Sequence, residues 1–81
     1  MIIIKPIETE KWIGKIEFEN KIAFEVDLRA TKKEIGKEIE RLFGSKIKSI
    51  NTHIQGNSKI AIVKFPKEVK AEDIAAKMKM I

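Results

Sequence analysis

The stretch that decides the fold is residues 29–52, which read RATKKEIGKEIERLFGSKIKSINT. Its segment Thr31-Lys32-Lys33-Glu34 has the pattern of a capping box, in which the threonine hydroxyl and the glutamate carboxylate each bond a free amide of the first helical turn. Gly44 stands where a helix ends on a residue in the left-handed conformation. Together these signals predict a helix over residues 32–43 and a strand after it.

The apolar residues of this predicted helix recur at a spacing that gives it one buried side. At about 100° per residue, Ile35, Ile39 and Leu42 fall within about 60° of one another, and Phe43 lies beside them. We therefore expect all four side chains to enter a core.

The opposite side of the helix carries a row of cations, because Lys33, Lys37 and Arg41 follow one another at i, i+4 spacing. Like charges at this spacing destabilise a helix by roughly a few tenths of a kcal/mol per pair. The row is either a well-solvated face or a surface that follows phosphates. Residues 29–52 hold seven of the chain's 17 basic residues and three of its 12 acidic ones, which favours the second interpretation.

The neighbours of the helix add to this positive charge. A strand is predicted near 46–54, with a bulge or twist where its apolar phase slips between Ile47 and Ile50. If the strand edge and the helix share one face, five or six cations and two hydrogen-bonding side chains converge there. Lysine binds phosphate as a point charge, and Asn and Thr bond phosphate, sugar or base edges. The predicted RNA contacts are Arg29, Lys32, Lys33, Lys37, Lys46, Lys48, Asn51 and Thr52.

The rest of the chain alternates strand and helix patterns. Ile22, Phe24, Val26 and Leu28 alternate with polar residues, which predicts a half-buried strand with all four toward the core. The other predicted elements are a strand at 2–4, a helix at 9–18, a short hairpin turn at 55–58, a central strand at 60–65 and a helix at 71–78. This order indicates an α+β sandwich, with a mostly antiparallel sheet and helices packed on it.

Composition limits the classes of function. The chain has 81 residues and a net charge of +5, which predicts a single domain over residues 1–81 and an anionic partner. It has no cysteine, so disulfides, thiolate metal sites and thiol nucleophiles are excluded. His53 is the single histidine, so we expect no metal site, and no pattern marks a catalytic pocket or a cofactor. No apolar run reaches the roughly 18 residues of a membrane span, and the start does not look like a signal peptide, so a cytosolic protein is expected.

The aromatic residues do not suggest a stacking platform for bases. All four phenylalanines fall at positions that we expect to face the core, and Trp12 is equally compatible with the core and with a partner surface. Recognition of RNA would then depend on backbone shape and phosphates.

Several segments, in order, resemble the family of large-subunit ribosomal protein twenty-three, which lies at the rim of the polypeptide exit tunnel. The shared series covers nearly the whole chain, and Ala-Thr-Lys, Leu-Phe-Gly and Asn-Thr at the right spacing are its most specific parts. The segments are Thr9-Glu10-Lys11, Glu19-Asn20-Lys21, Phe24–Asp27, Arg29–Ile35, Leu42-Phe43-Gly44, Lys46-Ile47, Ile50-Asn51-Thr52 and Ala71–Ala75.

The resemblance implies a four-stranded antiparallel sheet in an α/β sandwich bound to large-subunit ribosomal RNA. It implies three kinds of partner: that RNA, the neighbouring ribosomal protein twenty-nine, and factors that meet the emerging chain, such as signal recognition particle. Carried over by position, Thr31, Lys32, Lys33, Asn51 and Thr52 are RNA contacts, and Lys11 is added to the set. Glu10 corresponds to the acidic residue of the family's chaperone-docking region.

Three departures from the family pattern affect these expectations. The loop at 55–58 is short, as in archaeal relatives, so insertion into the tunnel is not expected. Ile60 occupies a place that is often lysine. Lys70 replaces the usual small hydroxyl cap, so we expect a loosely started last helix.

Two other classes of function remain as alternatives. The chain could be a protein-interaction or regulatory module whose basic face only keeps it soluble. The weaker alternative is a small enzyme, which would need a pocket that holds a shifted acid or base.

Overall fold

Within residues 2–7 and 9–79, the part of the chain that the computed structural model describes, strands and helices alternate. They run β1 (Ile3–Pro6), α1 (Glu10–Glu19), β2 (Lys21–Val26), α2 (Lys32–Phe43), β3 (Ser49–Gln55), β4 (Ser58–Lys64) and α3 (Ala71–Lys79). The strands form an antiparallel sheet in the order β1-β2-β4-β3. This is the predicted α+β architecture with a four-stranded sheet.

The main core lies between one face of the sheet and the helices α2 and α3. Side chains alternate across a strand, so Phe24 of β2 and Ala61 of β4, which are paired, point to the same face. Ile35 and Ile39 of α2 and Ile74 of α3 belong to the same buried cluster. Ile60, which points to the other face of β4, is buried as well.

A single asparagine ties three parts of the fold together. Asn20 ends α1 in the left-handed conformation, at φ 56°. Its Nδ2 donates to the carbonyl oxygens of Phe65, Pro66 and Val69 at 2.8–3.0 Å, and its Oδ1 accepts from the amide of Ala71 at 2.8 Å. Asn20 Oδ1 therefore bonds a free amide of the first turn of α3, as the side chain of a capping residue next to that helix would. The expectation of a loosely started last helix is wrong.

Leu28 and Leu42, both predicted to be core residues, lie outside the core. Leu28 is 50 % exposed because β2 ends at Val26. Beyond it, Asp27 turns the chain by accepting bonds from the amides of Arg29 and Ala30. Leu42 is 38 % exposed, since the buried stripe of α2 is centred on Ile39 and leaves Leu42 on its flank.

The predicted bulge in the third strand is also wrong. Ile47 lies in the loop before β3, and the pairing of β3 with β4 runs without interruption from Ser49 to Gln55. The change of apolar phase marks the start of the strand. The hairpin turn is confirmed, with Gly56 and Asn57 between the paired residues Gln55 and Ser58.

No helix in the described part of the chain combines the length and the apolar character that crossing a bilayer requires.

Candidate nucleic-acid interface

The N-terminus of α2 is fixed by the predicted capping box. Thr31 Oγ1 accepts a hydrogen bond from the Glu34 amide at 3.2 Å, and Glu34 Oε1 accepts one from the Thr31 amide at 3.0 Å. Lys32 and Lys33 follow in the first turn, and both are exposed. The cap thus holds Thr31 and the two lysines on a rigid helix end.

Arg29 is held just before this end by the turn at Asp27. The Arg29 amide donates to Asp27 Oδ1 at 2.8 Å, and the side chain of Arg29 is exposed. The position of Arg29 relative to α2 is therefore set by the backbone, while its guanidinium remains accessible to solvent.

The predicted cation row lies on the exposed side of α2. Lys33, Lys37 and Arg41 are all exposed, and they extend over about 12 Å of helix at about 1.5 Å per residue. Arg41 forms an ion pair with Glu38. In the described part of the chain, Lys33 and Lys37 take part in no ion pair. These two ammonium groups are therefore available to pair with an external anion.

Lys46 and Lys48 lie past the other end of the helix. Both are exposed, in the loop that leads into β3, and the Lys48 amide donates to the carbonyl of Lys64 at 2.8 Å. The 12 residues of α2, about 18 Å of helix, separate them from Arg29, and Lys32 is the first of those residues. The cations form a track along α2 and do not meet at one point.

Asn51 and Thr52 do not face the same side of the sheet. They are consecutive in β3, so their side chains point to opposite faces. α2 covers the face of Thr52, since Ile50 of that face comes within 3.2 Å of where a Cβ on Gly36 would lie. Asn51 is exposed on the other face. The expected convergence of both residues with the α2 cations is therefore wrong.

The face of Asn51 carries a cleft that α1 helps to form. Lys11, Trp12 and Thr9 line it together with His53 and Ile60, and its volume is about 540 Å³. Lys11 is thus on the opposite side of the sheet from the cations of α2. Glu10 is exposed in the first turn of α1.

A second group of cations, which the sequence did not indicate, lies at the end of α1. Lys21 and Lys64 are directly opposite each other in β2 and β4, so their side chains share a face. Glu19 lies 3.3 Å from Lys21 Nζ and 3.8 Å from Lys15 Nζ. A hydrogen bond from Lys21 and the charges of Lys15, Lys21 and Lys64 lower the pKa of Glu19. Only the register of β2 with β4 would have revealed this group.

Within the described residues, no group of three or more His, Cys, Asp or Glu side chains could hold a metal ion. His53 lies exposed on β3.

Comparison with known proteins gives a consistent result. The family model of ribosomal protein L23 matches residues 1–77. The chain is 41% identical to the large ribosomal subunit protein uL23 of Methanothermobacter thermautotrophicus, over 95% of this chain and 91% of the relative. It is 43% identical to the uL23 protein of Picrophilus torridus, over 94% of this chain and 93% of the relative. It is 44% identical to the uL23 protein of Thermoplasma acidophilum, over 95% of this chain and 92% of the relative.

Proposed function

Because the chain belongs to the ribosomal protein L23 family, it is a component of the large ribosomal subunit, and we propose that it binds large-subunit rRNA at the rim of the polypeptide exit tunnel. Its location is accordingly the cytoplasmic ribosome. The short hairpin at Gly56 and Asn57 is the kind of loop that the resemblance to archaeal relatives implies. The role is that of a structural, non-enzymatic protein.

The observation that carries the RNA-binding proposal is the exposed cation track of α2. Lys33 and Lys37 lie on a helix whose other side is anchored by the buried Ile35 and Ile39. Because the helix backbone is already ordered, binding a phosphate backbone orders only the lysine side chains. Each neutralised phosphate then releases counterions. The proposed contacts along this track are Arg29, Thr31, Lys32, Lys33, Lys37, Lys46, Lys48 and Thr52, with Lys11 and Asn51 on the opposite face.

Protein partners form a second part of the proposal. Glu10 is exposed at the start of α1, where an acidic side chain is accessible to a basic partner surface. We place the docking of nascent-chain factors such as signal recognition particle at this end of the molecule, and ribosomal protein twenty-nine beside the chain. A charge-reversed Glu10→Lys variant should still bind rRNA and should lose factor binding at ribosomes.

The direct experiment is co-sedimentation with archaeal large subunits that lack their own copy of this protein. The chain should pellet with the subunits at low salt and be released by a high-salt wash. The double variant Lys33→Gln/Lys37→Gln should be released at lower salt, while the matched double variant Lys67→Gln/Lys77→Gln, which also removes two exposed lysines, should behave like the wild type.

Failure of the wild-type chain to pellet with the subunits would contradict the proposal. A protein partner that stays bound in a pull-down after nuclease treatment, when no rRNA is bound, would favour the alternative of a protein-interaction module.

A further inference from the structure

Four side chains of α1 combine positive charge with aromatic rings, and we call them the α1 strip: Lys11, Trp12, Lys15 and Phe18. The ammonium groups of Lys11 and Lys15 lie 5.4 and 5.1 Å from the centre of the Trp12 ring. At about 100° per residue, Lys11, Lys15 and Phe18 fall within about 60° of one another on the helix. Phe18 is 83 % exposed. The expectation that all four phenylalanines enter the core is therefore wrong for Phe18.

The α1 strip continues into the second group of cations. Lys15 Nζ lies 3.8 Å from Glu19, whose other carboxylate oxygen is 3.3 Å from Lys21 Nζ. Lys64 lies directly across from Lys21 on the sheet. Two ammonium groups thus pair with the Glu19 carboxylate, and the charge of Lys64 beside Lys21 also acts on it, so this group holds three bases and one acid.

Neither the pairing of Lys21 with Lys64 nor the exposure of Phe18 stabilises the fold. Like charges directly opposite each other in a sheet destabilise it, and Glu19 offsets only part of the repulsion between Lys21 and Lys64. An exposed phenylalanine on a polar helix side gains nothing from the core. Both features suit a ligand with negative charges and flat apolar surfaces.

We propose that the α1 strip, with Lys21 and Lys64, binds an unpaired segment of the large-subunit rRNA. Bases stack on Phe18 and on the accessible part of Trp12, while phosphates lie against the ammonium groups of Lys15, Lys21 and Lys64. Aromatic stacking combined with a positive groove is the general means by which proteins hold single-stranded nucleic acid. The inference rests on the proposed function and adds a contact surface on the other face of the sheet from α2.

An RNA ligand fits this surface better than a protein does. Its positive charges need several regularly spaced anions, which a phosphate backbone supplies, whereas an apolar partner would leave the three lysines unsatisfied. The cleft of about 540 Å³ beside Trp12 is within the size range of pockets that hold small organic groups such as a base. His53 and Gln55 at its edge carry groups that hydrogen-bond base edges.

Trp12 is the chain's only tryptophan, so its fluorescence reports directly on this surface. The probe is large-subunit rRNA transcribed from the sequence of Methanothermobacter thermautotrophicus, titrated into the wild-type chain at low salt. Stacking of a base near Trp12 should quench its emission as binding proceeds. Binding by filter retention without any change in Trp12 emission would overturn the proposed stacking.

One pair of variants tests the aromatic part of the α1 strip. Phe18→Ala should weaken rRNA binding about tenfold, which is within the range for one stacked base. The melting temperature should stay within a few degrees, because Phe18 is exposed. Ile13→Ala is the matched control, because Ile13 is 51 % exposed and lies elsewhere around the same helix. An equal effect of the two variants on binding would overturn the assignment of Phe18.

The contribution of Lys21 and Lys64 is tested with the double variant Lys21→Gln/Lys64→Gln. The double variant Lys67→Gln/Lys77→Gln is its control. The first pair should make the plot of log affinity against log salt shallower by about 1.4, at about 0.7 per phosphate of a single strand. The control pair should leave the slope unchanged. A first pair that matches the control while Lys33→Gln still weakens binding would overturn this inference alone. Absence of rRNA binding by the wild-type chain would overturn the proposed function.

Discussion

Replacing Asn20 with alanine tests how the end of α1, the end of β4 and the start of α3 are held together. The two N–H groups of the amide are shared by three carbonyl oxygens, and Oδ1 accepts from the Ala71 amide, so about three hydrogen bonds are lost. At about 1 kcal/mol each they sum to about 3 kcal/mol. An alanine in the left-handed conformation at φ 56° adds about 1 kcal/mol.

The total of about 4 kcal/mol is large for a domain of this size. At roughly 0.05–0.15 kcal/mol per residue, 81 residues have a free energy of unfolding of roughly 4–12 kcal/mol. In a domain of 60–100 residues, each kcal/mol lowers the melting temperature by about 4–8 °C. Thermal melts followed by circular dichroism should therefore show a loss of about 15–30 °C for Asn20→Ala.

Glycine at the same position separates the two contributions. Asn20→Gly loses the same side-chain bonds but adopts the left-handed conformation without strain, so it should be about 1 kcal/mol more stable than Asn20→Ala. A loss of less than about 5 °C for Asn20→Ala would refute the assignment of these bonds. Equal melting temperatures for the two variants would refute the contribution from backbone strain.

Three further perturbations have defined outcomes. Gly36→Ala should change the free energy of unfolding by less than about 1 kcal/mol, because the gain in helix propensity is offset by the 3.2 Å approach to Ile50. Gly36→Leu should lower the free energy of unfolding by about 1–3 kcal/mol. Urea titrations that find leucine tolerated as well as alanine would contradict this packing. Lys33→Glu should make the salt dependence of rRNA binding about one unit shallower at an unchanged melting temperature, and a parallel loss of stability would instead assign Lys33 a structural role. The lowered pKa of Glu19 means that the folded state binds its proton more weakly than the unfolded state, so its ion pair with Lys21 stabilises the fold above about pH 4.5 and loses this effect as the pH falls through the lowered value. Urea unfolding of the wild type and of Glu19→Gln should accordingly converge as the pH falls below about 4.5, and a difference that grows on acidification would contradict the direction of the shift.

Elements marked by local signals were predictable from the sequence. The capping box at Thr31 and Glu34 and the left-handed Gly44 define α2 because each involves residues within one helical turn. The hairpin at Gly56 is set by an equally local turn. These signals do not depend on tertiary contacts with the rest of the chain.

The errors in the core arose where periodicity alone was extended too far. Leu28 continues the alternation of β2, but Asp27 turns the backbone before Leu28 can join the sheet. Leu42 and Phe43 are both near the apolar side of α2, and only their packing decides which of them is buried. Phe18 lies well away from Trp12 and Ile16 around α1, so helical geometry itself should have excluded it from the core.

The contacts that depend on sheet register had no sequence signal. Asn20 and Ala71 are 51 positions apart, and the pairing that places Lys64 opposite Lys21 follows from the strand order. Asn51 and Thr52 are adjacent in the chain, but as consecutive residues of β3 they point to opposite faces of the sheet. The candidate site was therefore predictable in its residue types and along α2, but not in its division between two faces.

The salt dependence of binding tests most directly whether cations on a rigid surface hold this chain on rRNA. The measurement is filter retention of a large-subunit rRNA transcript over a series of monovalent salt concentrations. If about six phosphates are neutralised, log affinity should fall with log salt at a slope of roughly −4 to −5. A slope near zero would show that phosphate neutralisation does not drive binding, and would contradict the account.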